Sequence, residues 1–247
     1  MKLSIVIPAY NEALNLPDTI NAFYAELTAN GIDHEFMVVN DNSKDNTQQV
    51  IEELQLTIPT LNTVFNTPPH NGFGYAIRKG LESYNGDCVA IVMADLSDDP
   101  KDLVKFYNTF IEQKVDCVFG SRWGKGGQVY DYPKNKKFLN RFVNNMIAFT
   151  FGIKYYDTTN AFKLYSRRAM EGLKPFMSPH FNLTVELPLK SIVRGYTYSI
   201  VPNSWRNRKH GESNLKIKEM GSRYFFIILY CLIEKFFSRG DFKKKWD

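Results

Sequence analysis

The sequence is poor in the features that would fix it in a membrane, around a metal cluster or behind disulfides. Its apolar stretch Tyr224–Ile233 would extend only ~15 Å as a helix against a hydrocarbon core of ~30 Å, so it cannot span. The three cysteines, Cys88, Cys117 and Cys231, lie in apolar surroundings without paired spacing, which reads as reduced core residues rather than a disulfide or thiolate framework. The four histidines are scattered and make no zinc constellation. No Gly-x-Gly-x-x-Gly follows the first strand-like segment and no Gly-Lys-Ser/Thr is present, which argues against dinucleotide and P-loop sites. A nucleic-acid-binding motif is also missing. Met1-Lys2 leads directly into the strand-like Leu3-Ser-Ile-Val-Ile-Pro8 without a secretory leader, so a cytoplasmic protein is expected.

What is present is an ordinary globular composition, 44% hydrophobic and 23% charged over 247 residues. This suits one large α/β domain, alone or with an appendage. Charge is unevenly placed. Residues 203–247 carry 11 Lys/Arg against 5 Asp/Glu, a surplus that exceeds the +5 of the whole chain. A cationic end beside a nearly neutral body suits phosphate groups or an anionic membrane surface.

The chain is organised around Val89-Ala-Ile-Val-Met-Ala-Asp-Leu-Ser-Asp-Asp-Pro100, an apolar run that ends in three carboxylates. Such a run predicts a strand buried on both faces. Its carboxyl end would present Asp95, Ser97, Asp98 and Asp99 where open α/β sheets bind ligands. Crowded carboxylates repel unless a cation or donor sits among them, and hard oxygen ligands suit Mg²⁺ or Mn²⁺ bridging to phosphate. Asp98 and Asp99 beside Pro100 fit a solvated helix N-terminus equally well.

Other segments repeat the theme. Strands are predicted over Lys2–Pro8, Phe36–Val39, near Thr60–Phe65, over Cys88–Ala94 and over Cys117–Gly120. Helices are predicted from a cap at Asn15 to about Ala29, over Asn46–Leu54, from His70-Asn-Gly-Phe-Gly-Tyr-Ala76 toward Ser83, and over Lys101–Gln113. This alternation argues for a mostly parallel sheet with right-handed crossovers. Tyr10/Glu12, Asn40/Asp41, Asp95/Ser97 and Arg122 then share one rim. An aromatic with acidic acceptors suits a nucleobase and ribose, while a metal carboxylate and an arginine suit a diphosphate.

Seven motifs in order resemble the inverting family 2 glycosyltransferases of GT-A fold, most closely the dolichol- or polyprenol-phosphate sugar synthases, dolichyl-phosphate mannosyltransferases among them. They are Pro8-Ala-Tyr-Asn-Glu12, Asn40-Asp-Asn-Ser-Lys-Asp-Asn-Thr47, Asn71–Ala76, Ala94-Asp-Leu-Ser-Asp-Asp-Pro100, Gly120-Ser-Arg122, Asp157-Thr-Thr-Asn-Ala-Phe-Lys-Leu-Tyr165 and Arg208-Lys-His-Gly-Glu-Ser-Asn-Leu215. The resemblance implies an α/β GT-A catalytic domain over 1–215, with a mostly parallel central sheet and flanking helices. Residues 216–247 would form an apolar helix and basic tail for a membrane interface, a membrane protein or a second copy.

It further implies transfer of a hexose from a GDP- or UDP-sugar to a polyprenyl (dolichyl or undecaprenyl) phosphate with inversion, on the cytoplasmic face of a membrane. By that resemblance Pro8, Tyr10, Glu12, Asn40, Asp41, Gly72, Gly74, Ala94 and Asp95 hold the donor. Asp95 and Ser97 hold Mg²⁺ or Mn²⁺. Arg122, Lys137, Arg141, Arg208 and Ser213 grip the acceptor phosphate, and Asp157 joins Asp95, Arg122 and Arg208 in the catalytic set. Two positions depart from the family pattern: Met93 stands where the first metal-motif carboxylate falls, and Asn40 replaces the first Asp of the second motif. A thioether is a poor Mg²⁺ ligand. Asp95 then carries the metal with donor phosphates, Ser97 and water, or metal affinity is weak, or basic side chains partly replace the metal.

Within Lys136–Phe151, Phe138/Leu139, Phe142/Val143, Met146/Ile147 and Thr150/Phe151 recur at helical spacing. Such a stripe packs on a sheet or lies in a membrane interface. Tyr224–Ile233, with Arg223 before it and Lys235, Arg239 and Lys243-Lys-Lys245 after it, reads as an interfacial helix with a basic anchor or as a helix filling a groove. Two other functions fit the same residues. One is transfer to a saccharide hydroxyl in cell-surface glycan synthesis, with Asp98, Asp99 or Asp157 as base; the other is a catalytically silent nucleotide-sugar binder, suggested by Met93.

Overall fold

The computed structural model describes residues 1–208, 210–211 and 217–244. The first half alternates β1 (Leu3–Ala9), α1 (Leu16–Ala29), β2 (His34–Asn40), α2 (Thr47–Gln55), β3 (Leu61–Phe65), α3 (Phe73–Ser83), β4 (Cys88–Ile91), α4 (Pro100–Gln113) and β5 (Cys117–Ser121). Then come β6 (Gln128–Tyr130), α5 (Lys134–Phe151), β7 (Lys163–Ser166), α6 (Arg167–Gly172), α7 (Leu183–Val193), β8 (Tyr198–Pro202), β9 (Ser204–Arg206) and α8 (Ile217–Phe237). Seven strands form one sheet in the order β3-β2-β1-β4-β7-β5-β8, and β6 pairs with β9 in a small second sheet.

β1 and β2 read as largely apolar runs because each serves two cores. Leu3, Ile5 and Ile7 of β1, with Phe36 and Val38 of β2, enter a cluster with Leu16, Phe23 and Phe106 on one face. Val6, Met37 and Val39 enter another with Ile77, Leu81 and Leu187 on the opposite face. Side chains alternate across the pleat, so apolar residues at every position leave no face for water. Strand order reverses between β1, which leads out to β2 and β3, and β4 on its other side. That reversal opens a crevice at the carboxyl ends of β1 and β4.

Two local features differ from expectation. β4 ends at Ile91 rather than Ala94. Val92 still donates to Val6 O at 3.1 Å, but the Met93 amide donates to Asp98 Oδ2 at 3.4 Å instead of continuing the ladder. The chain then turns through Leu96 at φ +51°. Asn11 and Asn42 adopt the same left-handed backbone after β1 and β2. Asparagine tolerates it, whereas for leucine it stores strain of about 1 kcal/mol or more, here beside the acidic cluster.

The second feature is β7. It lies between β4 and β5 and is antiparallel to both, with Ile91 opposite Lys163. An antiparallel strand begins where its parallel neighbours end, so the loop before β7 joins the rim. It separates Arg122, at the end of β5, from the β4 rim and supplies Asp157 instead.

α5 turns a mixed face inward, polar at Asn144 and apolar at Ile147 and Phe151. Asn144 is fully buried, its amide donating to Asn140 O at 2.8 Å and Thr159 Oγ1 at 2.9 Å. Ile147 and Phe151 pack with Ile227, Ile228 and Cys231 of α8 in a third cluster. The remaining stripe faces out, with Phe138 76%, Phe142 59% and Phe149 90% exposed. α8 divides likewise: Arg194 holds Glu234 with Nε–Oε1 at 2.7 Å and Nη2–Oε2 at 2.8 Å, while Phe225, Phe236 and Phe237 are exposed. Among the described residues no helix is long and apolar enough to cross a membrane.

Candidate active site

The rim encloses a cleft of about 900 Å³. Its first end is built on the loops after β1 and β2. Asp41 is held by Asn66 Nδ2 at 2.6 Å on Oδ1 and by the Gly72 amide at 2.9 Å on Oδ2. Gly72 needs its φ of +126°, and a Cβ there would lie 2.7 Å from His180 Nδ1. Pro8 and Tyr10 complete this end, Tyr10 being 40% exposed at the lip. The arrangement presents one ring and one fixed carboxylate, a pair able to take a base and a ribose.

The middle is acidic and already holds a cation. Asp95 Oδ1 accepts from the Ser97 amide at 3.1 Å. Asp95 Oδ2 accepts from Arg208 Nε at 3.0 Å and Nη2 at 2.7 Å, and Nη2 also reaches Glu12 Oε1 at 3.2 Å. β9 brings Arg208 here: the Arg206 amide donates to Ser97 O at 2.9 Å, and Trp205 bridges Asp98. Burial pushes the Glu12 carboxyl above its usual range, although Asn15 and Arg208 draw it down. Burial opposes the charge of Arg208, but Asp95 and Glu12 outweigh it and hold its pKa above the ordinary arginine value.

Asp98, only 2% exposed, is pushed up to about 7 by burial and then by the charge of Asp95. Its folded value lies above its ordinary 3.8, so the fold favours the neutral acid. The stability this contributes is complete below 3.8 and is lost as pH rises through about 7. Asp98→Asn is expected to remove a slope approaching about 1.4 kcal/mol per pH unit across that window. Chemical denaturation from acid to neutral pH checks it; identical pH dependence in both proteins would refute the assignment.

The far end is basic. Arg122 donates from Nε at 2.9 Å to Asp157 Oδ2 and from Nη2 at 2.7 Å to Oδ1, with its amide also on Oδ2 at 2.7 Å. Burial works against this charge, yet Asp157 holds the Arg122 pKa well above the ordinary value. The loop carrying Asp157 is tied down by buried Lys163, whose Nζ donates to Thr158 O at 3.0 Å and to Asn160 O. Burial lowers that amine to about 7. Lys136, Tyr132, Trp205, Arg223 and Tyr224 line the same cleft.

Of the residues singled out from sequence, Pro8, Tyr10, Glu12, Asp41, Gly72, Met93, Asp95, Ser97, Asp98, Arg122 and Arg208 line the cleft. Several others do not. Asn40 is buried, accepting from the Ser43 amide and donating to Gln48 Oε1, both at 3.0 Å, so it shapes its loop. Ala94 O accepts from Thr19 Oγ1 at 2.8 Å. Gly74 is a packing position, since a Cβ would meet Pro179 C at 2.5 Å. Asp157 is fully buried against Arg122 and positions that guanidinium rather than facing a ligand. Asp99 caps α4, accepting from the Lys101 amide at 2.9 Å.

Lys137 lies over the Trp123 ring at 5.5 Å, and Arg141 lines a separate cavity of about 270 Å³ with Lys154 and Tyr156. Lys136, four residues before Asn140 on α5, lines the cleft instead. Ser213 lies outside the described residues. Arg223, read from sequence as a membrane anchor, and His180, in no sequence motif, were the other omissions. Only the basic cluster before the apolar tail signalled Arg223.

Could the centre hold a divalent cation? Among the described residues no three His, Cys, Asp or Glu form a metal cluster. Mg²⁺ needs only one or two carboxylates when substrate phosphates and water fill the rest. Asp95 Oδ2 already attracts a guanidinium, which marks it as a cation position, and Ser97 stands beside it; Met93 adds no suitable ligand. The residues fit a cation shared with a diphosphate.

The dolichol-phosphate mannosyltransferase of Pyrococcus furiosus is 29% identical over 222 residues, covering 88% of this chain and 60% of that protein. The polyprenol monophosphomannose synthase of Mycolicibacterium smegmatis is 27% identical over 216 residues, covering 85% of this chain and 80% of its own length. The present chain thus spans less than two thirds of the Pyrococcus relative. Glucosyl-3-phosphoglycerate synthase from Mycobacterium tuberculosis shares the fold, with a TM-score of 0.70 at 17% identity over 93% of this chain and 79% of that one. The same enzyme with Mn²⁺, uridine diphosphate and glucosyl-3-phosphoglycerate gives 0.68 at 18% identity, over 95% and 79%. Residues 4–173, more than half of the chain, match the model of glycosyl transferase family 2, and the protein belongs to that family.

Proposed function

We propose that the protein transfers a hexose from a nucleotide-diphosphate sugar to a polyprenyl phosphate, inverting C1, at a membrane surface. The observation that carries this reading is a single cleft lined by the carboxylate and aromatic of Asp41 and Tyr10, by the acidic pair Glu12 and Asp95, and by the cations Arg122, Lys136 and Arg223. The named relatives act on dolichol or polyprenol phosphates and support the acceptor. In the reaction a phosphate oxygen of the lipid attacks C1 while the bond from C1 to the nucleotide diphosphate breaks, and the electron pair leaves with the diphosphate. The transition state resembles an oxocarbenium ion. A phosphate monoester has a second pKa near ~6 and arrives ionised, so no base is required. Arg122, locked in orientation by Asp157, and Lys136 align the nucleophile. A divalent cation on Asp95 would neutralise charge on the departing diphosphate. Asp41 and Tyr10 hold the nucleoside in place.

A saccharide hydroxyl as acceptor is the second reading, favoured by Asp98, whose pKa of about 7 suits a general base. The experiment is transfer from a panel of labelled nucleotide sugars to farnesyl phosphate, with and without Mg²⁺ or Mn²⁺. An acid-labile lipid product establishes the first reading and names the donor. Transfer only to oligosaccharides, lost in Asp98→Asn, establishes the second.

The outward aromatic faces of α5 and α8 carry the surface part of the proposal. Exposed apolar area of this kind, flanked by cations, suits a lipid interface. Phe225→Ser with Phe226→Ser is expected to weaken binding to anionic vesicles about 100-fold, at ~1.5 kcal/mol or more for each buried phenyl group. Transfer to soluble farnesyl phosphate should persist. Unchanged vesicle sedimentation would remove this face from the proposal.

A further inference from the structure

α5 has a different cavity on each flank. At ~100° of turn per residue, Arg141 and Asn145 lie about 40° apart on the helix, and Phe138, Phe149 and Phe142 follow at roughly 60° to 100° from Arg141. Those three rings are exposed and form a crest. Lys136, roughly 140° from Arg141 on the other flank, lines the catalytic cleft. Arg141 and Asn145 instead line the second cavity, of about 270 Å³, with Ser121 at the end of β5, Trp123, Lys154 and Tyr156. Trp123 parts the two spaces: its ring meets that of Tyr132, a cleft residue, at 5.6 Å between centroids, and its Nε1 donates to Asn140 Oδ1 at 3.0 Å. No described residue lines both cavities.

The charge in this second cavity is arranged unlike that in the rest of the molecule. Arg122 is matched by Asp157, Lys190 by Glu186 and Arg194 by Glu234. Around Arg141 and Lys154 no carboxylate is among the described residues of the wall. Both side chains are exposed, so water screens their repulsion in the free protein. The Ser121 hydroxyl, the Asn145 amide and the Tyr156 phenol add neutral donors to the same wall. Two cations with such donors fit a phosphate group, whose several oxygens reach both charges at once. The aromatic crest selects the source of that phosphate. Phe149, one turn beyond Asn145, is 90% exposed, and a crest embedded among acyl chains holds its flanks at headgroup level.

Resting on the membrane-surface part of the proposed function, we propose that the cavity of Arg141 and Lys154 is a second phosphate site, separate from the cleft, which takes the headgroup phosphate of an anionic phospholipid. An aromatic crest alone leaves the protein free to roll about the axis of α5. A headgroup held on the Arg141 flank removes that freedom and keeps the Lys136 flank at the level of the lipid phosphates. The lipid bound here is not consumed; it orients the enzyme on the surface.

The test uses the full chain labelled with ¹⁵N-tryptophan, the Trp123 indole resonance being assigned by its loss in Trp123→Phe. Titration with dihexanoylphosphatidylglycerol, kept below its micelle concentration, is expected to move that resonance to saturation. Arg141→Gln with Lys154→Gln should weaken the response about 30-fold, at ~1 kcal/mol for each cation beside an anionic headgroup. Arg239→Gln with Lys243→Gln removes the same charge from exposed positions after α8 and should leave the titration as in wild type. Inorganic phosphate should move the resonance only at concentrations about 10-fold higher or more, one further favourable contact of the lipid being worth that factor. An unmoved resonance, equal weakening in the two pairs, or phosphate as effective as the lipid would each overturn the proposal, the last by making this a site for free phosphate. Sedimentation with vesicles of mixed phosphatidylcholine and phosphatidylglycerol separates the proposal from the reading beneath it. If the protein binds vesicles equally well with and without Arg141 and Lys154, the surface reading stands and the headgroup site fails. If the short-chain lipid moves Trp123 but wild type ignores vesicles, the surface reading fails while the phosphate cavity stands.

Discussion

Asp95→Ala is expected to lower kcat/KM for sugar transfer about 10³-fold, the scale of removing one group that stabilises charge in a transition state. Asp95 is placed for that task by the Leu96 turn and by the Ser97 amide on its Oδ1, so the loss should fall mainly on the bond-breaking step. Arg208 would keep its bond to Glu12. With the guanidinium still partnered and one buried negative charge gone from beside Asp98, the melting temperature should stay within a few degrees of wild type. Steady-state kinetics with the donor identified by the panel, run beside thermal denaturation, decide the matter. A loss under ~10-fold in a folded variant would remove Asp95 from the reaction.

Asp157→Ala should instead act on stability, by about 3–5 kcal/mol, because it leaves a buried guanidinium without its counter-charge. Arg122 and Asp157 side chains are only 8% and 0% exposed, so solvent screens the pair little. The doubly substituted Arg122→Met, Asp157→Leu is expected to recover most of that stability while remaining inactive. Replacing both charges removes the desolvation penalty along with the attraction. Urea denaturation of the single and double variants checks both claims. If the single variant lost less than 1 kcal/mol, the pair would be more hydrated than its geometry indicates. Recovery of activity in the double variant would remove Arg122 from the acceptor site.

Some of this architecture was legible in residue order. Runs such as Ile5-Val-Ile7 and Phe36-Met-Val-Val39 announce strands covered on both faces, because alternation with polar residues is what a half-solvated sheet requires. The Asx-rich segments after them mark rim loops, since asparagine accommodates the left-handed turns seen at Asn11 and Asn42. The antiparallel β7 was not legible: Lys163–Ser166 is four residues long, too short for its pattern to state a direction. Nor was the orientation of α5. An apolar stripe predicts an inward face only where the neighbouring elements are apolar: α8 buries Ile147 and Phe151, whereas Thr159 bonds Asn140 and Asn144 while Phe138 and Phe142 face out.

The same division runs through the site. The chain order by itself determined the family, the acidic strand end at Asp95, and the cationic, apolar character of the last fifth, because these are properties of short segments read in series. Only the tertiary structure decided which polar groups meet. Arg208 reaches Asp95 across 113 residues and Arg122 meets Asp157 across 35; Gly72 faces the cleft while Gly74 lies under the 178–180 backbone; Lys136 enters where Lys137 and Arg141 do not. Residue type and local periodicity report what a segment is able to do. Which charge finds which partner depends on loop paths set by long-range packing and strand pairing, and no window of neighbouring residues contains them.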